Sequence, residues 1–260
     1  MILAFDVGNT ETTVGAFDGN VLRAHWRLTT AVDRTPDELG LLLSELLRAG
    51  SLERDDIEGA AIGSVVPSIT GPLVEACQRW LGVTARVIDA RAPLPIVLQV
   101  DEPLTVGADR ILNTLAASRL YQADSIIVDL GTATTYDCIT ADGIFLGGII
   151  APGLRTSADT LIRRTSKLPA TELVPPARAI GTRTEECIRA GVLFGAADAI
   201  DGLVRRIKSE WPTPRVPRVV ATGGLASLVA PLTMEIEQVE PFLTLFGLEI
   251  AYALLAARAA

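Results

Sequence analysis

Chemistry is on offer at three places in this 260-residue chain: Asp6-Val7-Gly8-Asn9-Thr10-Glu11-Thr12, a diluted copy of it at Asp129-Leu130-Gly131-Thr132-Ala133-Thr134-Thr135, and Gly107-Ala108-Asp109-Arg110 between the two. In the repeated segment, glycine lets main-chain amides approach phosphate oxygens, while asparagine and threonine side chains add neutral donors. Two such turns facing each other across a cleft would offer a nucleoside triphosphate two backbone cradles. The leading aspartates repel phosphate, so they are expected to hold a cation that bridges to it, directly or through water. One such stretch alone reads equally well as a hydrogen-bonded hairpin turn; its repetition in the same local context favours the phosphate reading.

Asp109 opens a helix in a turn that would present its carboxylate to a substrate hydroxyl as a general base, with Arg110 beside it to anchor an anion. A helix-capping aspartate followed by a surface arginine is the other reading of these residues, and both stay open. The only histidine, His25, lies in the strand-like run Val21 to Leu28 and is expected on a sheet surface. Chemistry without histidine excludes Ser-His-Asp hydrolases and histidine-rich metal sites. Phosphoryl transfer fits, because positioning and charge neutralisation do most of that work and one carboxylate can accept the nucleophile's proton.

The elements that must carry these residues follow from hydrophobic pattern and turn chemistry. Each acidic turn follows an apolar, branched run (Ile2 to Phe5, Ile126 to Val128) and precedes a second β-prone run ending in Asp-Gly, at Asp18-Gly19 and Asp142-Gly143. That is strand, turn, strand, tight turn, written twice. Thr35-Pro36-Asp37-Glu38 predicts a capped helix, ended by Gly50. A strand over 59–66 stops at Pro67, followed by a helix over 70–81 and a strand over 85–89. An extended surface run over 91–103 then leads to a helix over 107–121. In the second half, helices are expected over 155–164 and 184–208, the latter carrying Gly191, Gly195 and Gly202, which would let another backbone approach closely. The proline-interrupted stretch 167–180 between them is a long excursion of the kind that is often functional. A strand over 218–221 runs into Thr222-Gly223-Gly224-Leu225, where glycines suit an adenine or ribose lying against the main chain, and 242–257 reads as a packed terminal helix. The alternation and the repeat predict an α/β protein of two halves, 1–121 and 122–260.

With 49% hydrophobic and 21% charged residues the chain can bury a substantial core. The net charge of -8 argues against a nucleic-acid surface, and Arg163-Arg164 and Arg205-Arg206-Ile207-Lys208 are read as solvated helix faces. Cys77, Cys138 and Cys187 have no metal or redox spacing and are expected as buried free thiols of a reducing cytosol. Neither a signal peptide nor a membrane span is read, so the expected location is cytoplasmic.

Taken together, Asp6 to Thr10, Ser64-Val65-Val66-Pro67, Gly107 to Arg110, Asp129 to Thr135, Gly147-Gly148 through Pro152-Gly153, and Thr222-Gly223-Gly224 resemble type III pantothenate kinases nearly end to end. That family shares a superfamily with actin, sugar kinases and heat-shock chaperone ATPases. The resemblance implies two ribonuclease-H-like domains related by duplication, facing across a nucleotide cleft. It implies ATP-dependent phosphorylation of pantothenate to 4'-phosphopantothenate, the first step toward coenzyme A. Residue by residue, it makes Asp6, Val7, Gly8, Asn9, Thr10, Glu11, Thr12 and Thr13 the first phosphate loop, Thr132 part of the second, and Gly223 and Gly224 the adenosine motif. It makes Gly107, Ala108, Asp109 and Arg110 the pantothenate motif, with Asp109 as base and Thr184 as a further substrate contact. Mg²⁺ accompanying ATP is expected near Asp6 and a monovalent cation, K⁺ or NH₄⁺, at Asp129, in a homodimer. Glu11 and Val100 depart from the family pattern, which expects a neutral residue and tyrosine there. A nucleotide-binding accessory factor and another kinase or phosphatase of the superfamily are the competing readings.

Overall fold

The computed structural model describes residues 1–258. The first hairpin pair forms as β1 (Ile2–Val7), β2 (Glu11–Asp18) and β3 (Val21–Thr29), turning at Asp18-Gly19. After α1 (Pro36–Ala49), β4 (Gly59–Ser64) adds in parallel to the free side of β1; after α2 (Pro67–Ala76), β5 (Ala85–Ile88) adds in parallel to β4. The resulting order is β3-β2-β1-β4-β5. The short β6 (Val97–Leu98) and then α3 (Ala108–Tyr121) follow.

The second half repeats this scheme. β7 (Ser125–Leu130), β8 (Ala133–Ile139) and β9 (Ile144–Pro152) form the antiparallel meander. After α4 (Leu154–Arg163) and α5 (Thr184–Ser209), β10 (Arg218–Thr222) pairs in parallel with β7. Beyond the single turn of α6 (Ala226–Val229), β11 (Gln238–Val239) pairs in parallel with β10, and α7 (Leu243–Ala257) ends the chain's regular structure. The run β9-β8-β7-β10-β11 thus has the topology of β3-β2-β1-β4-β5.

Side-chain parity explains which face each sheet buries. Leu3, Phe5 and Val7 of β1, with Ala60 and Ile62 of β4, pack under Leu39, Leu43 and Leu47 of α1 and Ile69 and Leu73 of α2. In the second half Ile126, Val128 and Leu130 pack with Leu193, Ile200 and Val204 of α5. Successive strand residues point to opposite faces, so Asp6 and Asp129 project away from these cores.

The chain divides into two compact units, Met1–Arg119 with Leu243–Ala260, and Leu120–Phe242. The terminal helix therefore belongs with the first half, whereas a boundary drawn after residue 121 assigns it to the second. It packs on β1, β2, β4 and β5, a long-range choice invisible in its own sequence. Local differences have local causes. Pro67 both ends β4's extension and opens α2 as its first helical residue, three residues before the expected start, and Cys77–Leu81 closes as a π turn capped by left-handed Gly82. β11 is too short to show a period. Cys77 and Cys138 are buried as expected, but Cys187 is exposed. Lys208 and Arg205 pair with Glu235 rather than facing solvent alone. Among the described residues no helix is long and apolar enough to cross a membrane.

Asp124, 3% exposed at the start of β7, ties the second unit together. Its carboxylate accepts from the Ala141 amide, the Trp211 indole and the Thr213 hydroxyl, each at 2.9 Å, and pairs with Arg215 at 3.7 Å. Burial pushes its pKa up, but these donors and the Arg215 charge outweigh burial and hold it below the usual aspartate range. A depressed folded-state pKa stabilises fully above the unfolded value of about 3.9 and loses that contribution as pH falls through the folded value. Asp124→Asn turns an acceptor into a group that faces donors, so it is expected to cost about 2–3 kcal/mol at pH 7. Thermal melts of variant and wild type should converge as the pH is lowered below about 4.

Candidate active site

In the first unit, the β1–β2 turn is held from behind. The Gly8 amide donates to the Glu11 carbonyl at 3.0 Å, and the Thr30 hydroxyl donates to the Gly8 carbonyl at 2.7 Å while bonding the Thr12 hydroxyl at 2.8 Å. The Thr30 amide also reaches the Thr10 carbonyl at 3.0 Å. Carbonyls are thereby turned inward, and Asn9, Thr10 and Glu11 are left exposed at the tip. Thr12 is buried and Thr13 half-buried on β2. Glu11 is exposed and pairs with Arg27 at 3.5 Å, which offsets its charge.

Asp6 pairs in register with Gly63 of β4, on the face opposite the α1/α2 core. α3 packs over that same face, because a Cβ at Gly63 would collide with Leu112 and lie 3.8 Å from the Ala108 Cβ. The first turn of α3, with buried Ala108 and half-buried Asp109 and Arg110, thus starts beside the end of β1. The Asp109 carboxylate accepts the Arg110 amide at 2.8 Å, and it folds back so closely that a Cβ on Gly107 would lie 2.5 Å from it. Ser64 is fixed by the Val66 amide at 3.1 Å and the Thr70 hydroxyl at 2.8 Å, which shapes the Ser64-Val65-Val66-Pro67 turn next to Gly107. The carboxyl ends of parallel strands are where open α/β sheets bind ligands.

The second unit repeats the arrangement. Asp129 pairs with Thr222 across β7 and β10, and Gly223 follows at φ +88, a left-handed conformation that glycine adopts without strain. A side chain at Gly223 would collide with the Asp129 carboxylate and come within 2.9 Å of the Leu130 main chain. The β7–β8 turn and the Gly223-Gly224 turn are thereby joined, with the Leu225 amide donating to the Leu130 carbonyl at 3.3 Å. The Thr132 carbonyl is clipped by the Thr156 hydroxyl at 2.7 Å and the Gly153 amide at 3.2 Å.

Thr30 and Thr156 do for the two loops what no local pattern announces. Each lies outside its loop in sequence and is found only once the meander is folded. Thr184 opens α5 on the exposed surface, where Glu186 accepts the Thr182 amide at 2.9 Å. That amide bond, with the Thr182 hydroxyl, keeps the Glu186 carboxyl below its ordinary pKa and fixes the approach to the helix.

Among the described residues no cluster of three or more acidic, histidine or cysteine side chains is positioned to hold a metal by itself. A divalent ion here therefore suits one carboxylate with phosphate oxygens and water completing its shell, which Asp6 can provide. Asp129, hemmed by the main chain at Gly223 with Gly131 nearby, presents hard oxygen in a space a side chain would fill, which fits a cation.

The profile describing type III pantothenate kinases matches residues 2–206. The chain is 46% identical over 252 residues to the type III pantothenate kinase of Roseiflexus castenholzii, covering 97% of this chain and 98% of the other. It is 44% identical to that of Thermomicrobium roseum, over 97% of this chain and 96% of the other. Among solved structures it is similar to component A of (R)-2-hydroxyglutaryl-CoA dehydratase from Acidaminococcus fermentans, with TM-score 0.60, 17% identity and 98% of each chain covered. That likeness speaks for the fold: two related α/β halves of the actin-like ATPase kind.

Gly223→Ala tests the join between Asp129 and the glycine turn. The substitution is strained by φ as well as by contact, at a cost of about 1–3 kcal/mol. It is expected to lower the melting temperature and to weaken ATP binding at least tenfold by calorimetry, whereas Gly19→Ala, at a left-handed position with open space around it, should lower stability alone.

Proposed function

The chain belongs to the type III pantothenate kinase family, and from that premise we propose that Asp109 is the general base for the transfer of the γ-phosphate of ATP to the primary hydroxyl of pantothenate. The enzyme phosphorylates pantothenate in coenzyme A biosynthesis and, as a kinase, uses ATP with a divalent metal. Support for the base comes from one observation above the others: α3 starts over the face of the first sheet that carries Asp6, and its only acidic residue in that turn is Asp109.

Each residue then has a role. Asp109 accepts the hydroxyl proton as the oxygen attacks, and Arg110 anchors the pantothenate carboxylate, aided by Gly107 and Ala108, which keep the turn narrow. Asp6 to Thr13 and Thr132 donate main-chain and hydroxyl hydrogen bonds to the phosphates, while Gly223 and Gly224 leave room for adenosine. Asp6 would hold Mg²⁺ directly or through water and Asp129 would hold K⁺ or NH₄⁺, ions that would offset phosphate charge. Thr184 is a further pantothenate contact. The domain assignment accompanying this reading is one ribonuclease-H-like domain from each half of the chain, with α7 added to the first.

The enzyme is a homodimer in this reading. Gly191, Gly195 and Gly202 of α5 have open space where a side chain would be, and an apolar groove of about 530 Å³ runs along that helix, lined by Leu154, Leu161, Ile188, Val192 and Leu203. A second copy laid against this face would bury it; a monomer by light scattering at micromolar concentration would remove this part. A cytoplasmic location belongs to the same reading and agrees with three free cysteines.

The test is ADP release with ATP, Mg²⁺ and pantothenate, in potassium or in sodium alone. Asp109→Asn is expected to lower kcat by about 10²–10⁴-fold with an unchanged melting temperature. Asp129→Asn is expected to lose the difference between the two salts. Wild-type turnover in the first variant would overturn the base, and undiminished potassium stimulation in the second would overturn the cation site.

A further inference from the structure

We propose that Thr244 of α7 and Asn113 of α3 form a positioning pair that sets the rotation of α3 and, through it, where the Asp109 carboxylate points. The inference rests on Asp109 being the base. Asn113 is 1% exposed and Thr244 6%, and the Thr244 hydroxyl donates to the Asn113 side-chain oxygen at 3.0 Å. It is a buried side-chain hydrogen bond that joins helices 131 residues apart in sequence.

The pair sits one helical turn from the chemistry. Asp109 and Asn113 are four residues apart on α3, so they share a face and are separated by about 6 Å along the axis. Between them, Leu112 is held from two sides without a side chain to spare. A Cβ at Gly247 of α7 would collide with the Leu112 carbonyl, and one at Gly63 of β4 would collide with the Leu112 side chain. These contacts fix how near α3 lies to α7 and β4. They restrain its rotation only through shape, whereas a hydrogen bond has a required angle.

The polar bond makes that restraint directional. In a buried setting a broken hydrogen bond is expensive, so the helix is held in the one rotation that keeps Asn113 on Thr244. α7 is itself packed on β1 and β4, the strands that carry Asp6 and Gly63. One rigid element therefore references both Asp6 and the helix of Asp109. A carboxylate about 6 Å from the helix axis moves about 1 Å for a rotation of about 10°, and a misplacement of that size costs about 10²-fold in rate.

Thr244→Val keeps the shape and removes the donor; Thr244→Ser keeps the donor and removes a methyl. Both are assayed well below their melting temperatures, with Asp109→Asn alongside. The expected result is a kcat about 10- to 100-fold lower in Thr244→Val, a KM for ATP within about twofold of wild type, and near-wild-type kcat in Thr244→Ser even where its melting temperature falls. If the valine variant fails to fold, Thr244→Ala, which removes the donor without adding a methyl, takes its place. Wild-type kcat in the donor-free variant, with Asp109→Asn inactive, would overturn the positioning role and leave the base standing. Wild-type turnover in Asp109→Asn would overturn the base and this inference with it.

Discussion

An aspartate at the carboxyl end of a central strand, on the face opposite the apolar core beneath the helices, is the constraint on which both halves are built. Asp6 faces Gly63, and Asp129 faces Thr222 with Gly223 behind it. The period of two along a strand puts each aspartate on the face opposite the apolar core. A shift of one residue in either register would bury the carboxylate among the apolar side chains beneath the helices. Register, charge placement and the position of each acidic turn are therefore one decision, made twice.

The loops gain their shape from threonines elsewhere in the chain. Thr30 and Thr156 draw the carbonyls of the two turns inward. A turn whose carbonyls are already satisfied offers an anion its amides without the repulsion of exposed carbonyl oxygens. This is preorganisation by ordinary hydrogen bonds, set before any nucleotide arrives.

Buried polar groups in the two units serve as fixed points. Asp124 gathers the start of β7, the turn after β8 and the segment just past α5. Asp201 of α5 accepts the Met234 amide at 2.8 Å and the Glu235 amide at 3.0 Å, securing the approach to β11. Thr244 and Asn113 play the corresponding part between α7 and α3. A satisfied polar group in a low-dielectric interior tolerates few alternative geometries, and an apolar core alone would leave more of them open.

Much of this was legible in the residues themselves. The repeated strand-turn-strand pattern appears as β1–β3 and β7–β9, and the capping box at Thr35 and Glu38 forms as written. Hairpins and caps depend on residues a few positions apart, so their chemistry is spelled out locally. The acidic turns and the Gly107–Arg110 motif were visible for the same reason. Three things were not: that α7 belongs with the first sheet, that Thr30 and Thr156 clip the loops, and that Thr244 meets Asn113. Composition and period state that a helix has a face to bury but not which distant surface receives it. Only the folded chain brings those partners together, because the burial that drives them is non-directional and the final pairing is chosen by shape and by the few polar groups that must be satisfied.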